Sequence, residues 1–214
     1  MNYHRQILTS LDRKNVYIRH DIDDNRDLCN AQKLAGFEWL CHLRSTFYTK
    51  TETITIDLPT HRNCLNTLQD AGFGIGLHID INRFRPSGKA ISANILRQLI
   101  LFYSFSMTTC TGHSGTQYEI WNDYNPNINE GIGYTGRKFD LATFGFTRDV
   151  SMLLPNEFYL GDSMGRWAYR TPDMGIPIPY EGDLPTIENP MEVIEEWKKT
   201  DTMLQVLIHP QYFS

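Results

Sequence analysis

Short apolar runs alternate with stretches of helical period from one end of this chain to the other. Ile7, Leu8 and Leu11 are spaced about one turn apart and predict a short helix in the opening residues. Val16, Tyr17 and Ile18 then open a strand. Leu28, Ala31, Leu34, Ala35 and Leu40 mark one face of a helix over 27–43, and TFYT at 46–49 is a second strand. Cys64, Leu65 and Leu68 share a helical face over 61–71 that Gly72 stops, and FGIGLHID at 73–80 is a third strand. Ile95, Leu96, Leu99 and Ile100 predict a helix over 91–103, before a β-compatible run at 106–111. Near the end, 158–161 and 204–208 read as strands and 191–199 as a helix behind Pro190. Such alternation of strand and helix builds a parallel sheet, so the expected fold class is α/β. Residues 121–136, rich in Asn and Gly, are expected to form a long irregular loop, either binding or merely solvated. Residues 171–190 hold five of the ten prolines and are also expected to be irregular.

The strands share a habit of ending in polar, reactive groups. In VYIRHDIDD at 16–24, the residues Arg19, His20, Asp21, Asp23 and Asp24 follow directly on the apolar start. Along an extended segment Asp21 and Asp23 face one way, His20 and Ile22 the other. Two carboxylates on one face repel, and the pair is tolerable when one binds a cation and the other serves as a base. A solvated turn, or Asp23 or Asp24 capping the next helix, accounts for the same residues without chemistry. His78, His113 and His209 also stand at or near the ends of apolar runs. A carboxylate and two imidazoles with an open position for water are a common hydrolytic metal site. Each histidine taken singly suits a core role; their recurrence at strand ends is what argues for a site. His4, His42 and His61 lie in polar contexts and are expected at the surface.

Composition narrows the partners. With 20 Lys and Arg against 25 Asp and Glu, the net charge is −5 and no basic block occurs, so nucleic acid is a poor partner. No apolar run approaches the roughly 18 residues of a membrane span, and MNYHRQILTS lacks a signal peptide's apolar core, so a cytoplasmic protein is expected. Cys29, Cys41, Cys64 and Cys110 lack zinc-ligand spacing and are expected as reduced thiols. The 214 residues suit one α/β domain over 1–214.

RHDID before a helix, GIGLHID, the histidine of GHSG, YLGDSMGRW and LIHP, taken in order, resemble the polysaccharide deacetylase (NodB-homology) superfamily. The series is most similar to its divergent WbmS-like branch, associated with bacterial surface-polysaccharide gene clusters. The resemblance spans residues 17–210. It implies a distorted (β/α) barrel with fewer than eight strands. It also implies a hydrolase that uses a divalent metal, zinc, to remove an N-acyl group of acetyl type from a sugar or surface-polysaccharide precursor. On that resemblance Asp21 is the general base, Asp23 and His78 are metal ligands, and His209 is the general acid. Better-studied members carry the second metal histidine four residues after the first, where this chain has Asn82; the expected third ligand is therefore His113. Arg19, Asp162, Arg166 and Trp167 are expected at the substrate, Arg for anionic groups and Trp as a stacking face for a sugar. A structural strand end with a buried Trp accounts for 162–167 as well. An inactive carbohydrate-binding relative and a hydrolase of a non-sugar C–N bond remain as alternatives.

Overall fold

The computed structural model describes residues 3–11, 14–51, 54–79, 88–112, 130–132, 138–140, 144–150, 156–174 and 184–213. The first half alternates as expected: α1 (Tyr3–Ser10), β1 (Val16–Ile22), α2 (Asn25–Leu40), β2 (Thr46–Thr49), α3 (Leu58–Asp70), β3 (Gly74–Ile79), α4 (Gly88–Leu101) and β4 (Thr109–Gly112). The second half is mostly short strands: β5 (Glu130–Ile132), β6 (Lys138–Asp140), β7 (Arg148–Asp149), β8 (Phe158–Gly161), β9 (Trp167–Arg170) and β10 (Thr186–Ile187). Helix α5 (Met191–Trp197) and strand β11 (Leu204–Leu207) close the chain.

One sheet of nine strands runs in the order β10-β9-β8-β11-β1-β2-β3-β4-β7 and curls into a half-barrel. From β8 to β7 every pairing is parallel, which makes seven strands, while β9 and β10 pair antiparallel at one edge. The α/β class and the curled sheet agree with expectation. The sheet exceeds the expected strand number because β9 and β10 extend it, and a two-residue strand such as β10 is too short to carry a sequence period. Strand β5 lies inside the segment expected to be irregular and pairs antiparallel with β6. Residues 113–129 fall outside the described residues. No described helix is long and apolar enough to cross a membrane, and all four cysteines are free thiols.

The two faces of the sheet divide the labour. Ile22, Phe47, Ile75, Leu77 and Ile79 pack with Leu28, Ala31, Leu65, Leu68 and Phe102 on the outer face of one half. Ile18, Phe158, Leu160, Leu204, Val206 and Ile208 pack with Ile7, Leu8, Leu34, Val193 and Trp197 on the other. Each Leu, Ile, Val or Phe among them contributes about 1.5–3 kcal/mol when fully buried, so the outer layers hold the sheet in shape. His20 points outward too, with Nδ1 at 2.8 Å from the Ile208 carbonyl and Nε2 at 2.9 Å from Glu38, which also accepts from Ser45 Oγ at 2.6 Å. That buried network ties α2 to β1 and to the end of β11.

The inner face is polar and aromatic. Tyr17, Arg19 and Asp21 of β1, Tyr48 of β2, His78 of β3, and Thr109 and Thr111 of β4 alternate onto it. The Tyr48 hydroxyl bonds to those of Tyr17 and, at 2.7 Å, Thr109. Its ring lies over Gly76, where an added Cβ would fall 2.3 Å from Cε1 of Tyr48 and 3.0 Å from the Thr109 carbonyl. Gly76→Ala should therefore cost about 1–3 kcal/mol through overpacking, visible as a lower urea midpoint. An unchanged midpoint would show that the ring yields freely.

His61 corrects an expectation. It is 2% exposed, with Nε2 at 2.7 Å from Thr49 Oγ1 and its ring edge-on to Phe102. Burial pushes its pKa down from 6.5 to about 4. As the pH falls through that window the unfolded chain takes up a proton that the folded chain refuses, so stability is lost on acidification. His61→Gln should flatten the dependence of Tm on pH between about 6.5 and 4; a slope equal to that of the wild type would assign the acid loss to other groups.

Candidate active site at the strand ends

The turn after β1 sets the site. Asp24 caps α2, accepting from the backbone N–H of Arg26 at 2.7 Å and of Asp27 at 3.2 Å, so Asp23 is not spent on the cap. Asp27 is fully buried one turn on. Its Oδ2 accepts the Asp23 N–H at 3.0 Å and its Oδ1 the Gln211 N–H at 2.8 Å. Burial pushes the Asp27 carboxyl up to about 6, against the lowering effect of those two bonds. One side chain thus ties the turn after β1 to the turn after β11 and brings Asp23 and His209 together.

Asp23 is the meeting point. Its Oδ1 lies 3.0 Å from His78 Nε2 and 3.2 Å from Lys50 Nζ, and its Oδ2 lies 3.6 Å from His209 Nε2. The Asp23 side chain is 23% exposed, whereas those of Lys50 and His78 are 1% exposed. Solvent therefore reaches the cluster mostly through this carboxylate, with the His209 side chain 11% exposed beside it. Asp21, two residues back on the same face, accepts from Arg19 Nη1 at 3.3 Å through Oδ2, and Arg19 also donates to Thr111. Its Oδ1 is buried without a hydrogen-bond partner among the described residues. Such an oxygen is costly unless something donates to it.

His209 is held from behind. Its Nδ1 lies 2.8 Å from Asp162 Oδ1, and its backbone N–H donates to the same carboxylate at 2.9 Å. The other oxygen of Asp162 meets His4 Nε2 at 2.9 Å, so one buried carboxylate sits between two imidazoles. Burial by itself would lower the pKa of His209, but the Asp162 hydrogen bond and charge, with Asp21 and Asp23 nearby, raise it to about 10. The imidazolium that results has Nδ1 engaged and Nε2 directed at Asp23.

No family model, curated protein or solved structure matches this chain. What the site can do has to come from its own chemistry. Asp21, Asp23, His78 and His209 come together at the ends of β1, β3 and β11; His113 and Asn82 lie outside the described residues. Two residues expected to face a substrate are enclosed instead. Arg19 is 1% exposed and its guanidinium serves Asp21, and Asp162 is 2% exposed between His209 and His4. Arg166 is exposed, while Trp167 is half-buried, with its ring 5.0 Å from that of His4 and its body in the outer apolar layer.

Lys50, Asp27 and His4 were not anticipated at the site. His4 had a signal, since it stands three and four residues before the core pair Ile7 and Leu8. Lys50 had one as well, two residues beyond Tyr48 and so on the same face.

A divalent ion can be tested against these groups. Among the described residues no set of three or more His, Cys, Asp and Glu side chains is arranged to hold one. The pair that is present has the right chemistry: a carboxylate oxygen and an imidazole nitrogen 3.0 Å apart are close to the spacing of two ligands that each reach about 2.0–2.1 Å to one ion. Asp23 and His78 therefore fit as two ligands of an incomplete set.

Proposed function

We propose that this protein is a metal-dependent amide hydrolase of polysaccharide deacetylase type, removing an acetyl-type N-acyl group from a sugar or surface-polysaccharide precursor. The observation that carries the reading is the division of labour around Asp23. A carboxylate with one unpartnered buried oxygen, Asp21, and an imidazolium backed by a carboxylate, His209, flank the Asp23–His78 pair. The curled parallel sheet supports it, because reactive groups gathered at the ends of parallel strands are how β/α barrels build active sites. The order of RHDID, GIGLHID, YLGDSMGRW and LIHP along those strands supports the same family.

Asp23 and His78 would hold the ion, with zinc as the metal, and when bound it would acidify a water and polarise the acyl carbonyl. Asp21 takes the water's proton at Oδ1, while Arg19 donates to its other oxygen and holds the carboxylate in place. His209 carries the second proton. With Nδ1 on Asp162, only Nε2 is free to deliver it to the departing amine. Arg166, exposed beside Trp167, suits an anionic group on the sugar.

The test is direct: the protein with added zinc is incubated with a panel of N-acylated sugars, and released acid and free amine are identified by mass. Paired release of both is the expected result. Binding without release would favour a carbohydrate-binding relative, and release from simple amides alone would favour a non-sugar C–N substrate.

A further inference from the structure

Lys50 stands where a bound cation belongs. It follows β2 directly, and alternation places it with Tyr48 on the inner face beside the neighbouring β1, where Asp21 pairs with Tyr48. The residue is fully enclosed, and Nζ makes no hydrogen bond to a described group; its ionic contact is Asp23 Oδ1 at 3.2 Å. His78 Nε2 meets the same oxygen at 3.0 Å. A buried ammonium is tolerated only beside a counter-charge, and here Asp23 is that charge. A divalent ion held by Asp23 and His78 needs this oxygen too. An ammonium and a dication crowded onto one carboxylate oxygen repel strongly in an enclosed site.

We infer that Lys50 and a divalent metal ion compete for Asp23: the ammonium is the counter-charge of the metal-free site, and the ion enters by displacing it. This rests on the metal-dependent reading above and adds to it the group that must give way. Two consequences follow from the geometry. The pocket keeps its charge balance and its shape without metal, and Lys50 sets how much free metal is needed to load it.

The experiment measures zinc affinity of the full chain by calorimetry and chelator competition, for wild type, Lys50→Met and Lys50→Arg. Met keeps the apolar stem and deletes the charge, whereas Arg keeps the charge. Lys50→Met should bind zinc at least about ten-fold tighter, the scale on which groups around a metal ligand tune affinity, and Lys50→Arg should stay as weak as wild type. In parallel, labelling of Lys50 in the wild type by acetic anhydride, read by mass spectrometry, should rise when zinc is added. Equal or weaker zinc binding by Lys50→Met overturns the competition and leaves the hydrolase reading standing. Zinc bound by none of the three proteins overturns the metal reading together with the competition. If Lys50→Met does not fold, the labelling decides: Lys50 still protected at saturating zinc overturns the inference.

Discussion

Asp21→Asn should lower kcat by about 10²- to 10⁴-fold, the usual contribution of a general base, with KM for an N-acyl sugar little changed. The substitution is chosen for what surrounds it. Arg19 is 1% exposed and leans on Asp21 Oδ2 at 3.3 Å. Truncation to Ala would strand that guanidinium, and breaking a buried ion pair costs about 3–5 kcal/mol. Asn retains an acceptor for Arg19 and removes only the basic oxygen, so a urea curve run beside the kinetics separates lost chemistry from lost fold. His209→Gln should give a drop of similar size. Combining the two should cost far less than the product of the single losses, because a catalytic unit already broken has little left to lose. Wild-type turnover in both single variants would end the assignment of base and acid.

The parts of this site that announced themselves in the sequence are those whose neighbours along the chain already form a pattern. RHDID, GIGLHID and LIHP each join an apolar run to a reactive group, and that junction is a local signal for a strand end on a buried sheet. Lys50 has the same construction, TFYT followed by a cation, yet a lysine after a strand is far more often solvated than enclosed. What buries it is Asp23, which is remote in sequence and reaches it only through the β1–β2 pairing. His61 is a different kind of miss. It shares a helical stripe with Leu65 and Leu68, four and seven residues on, and that spacing outweighs the polar neighbours that suggested exposure. Asp162 was found by its motif but placed at the substrate, because a sequence shows a carboxylate's position and not the two histidines, 158 and 47 residues away, that enclose it. The edge strands β9 and β10 were missed because pairing, and not period, defines them.

Asp162→Asn should change the pH dependence of stability more than any other single substitution in the site. The carboxylate is 2% exposed and accepts from His209 Nδ1, from the His209 backbone N–H and from His4. Burial works against its ionised form, but the two histidines outweigh burial and hold its carboxyl below the usual range. Against burial, the same contact raises His209 to about 10. A histidine raised in the folded state contributes stability that is complete below its unfolded value near 6.5 and is lost as the pH climbs towards 10. A shift of that size corresponds to at most roughly 5 kcal/mol. The lowered Asp162 contributes in the opposite sense, present above its unfolded value near 3.8 and lost as the pH falls through its folded one. The gap in unfolding free energy between wild type and Asp162→Asn should therefore be widest between about pH 4 and 6.5 and narrow on both sides, above all on the alkaline one. Urea denaturation of the two proteins from about pH 4 to 9 measures it. On the proposed hydrolase reading the same loss of charge should move the alkaline limb of the kcat profile to lower pH, because His209 then surrenders its proton sooner. A constant offset between the two stability curves, with the kcat profile unmoved, would reduce Asp162 to a hydrogen-bond acceptor and leave the proton on His209 without its anchor.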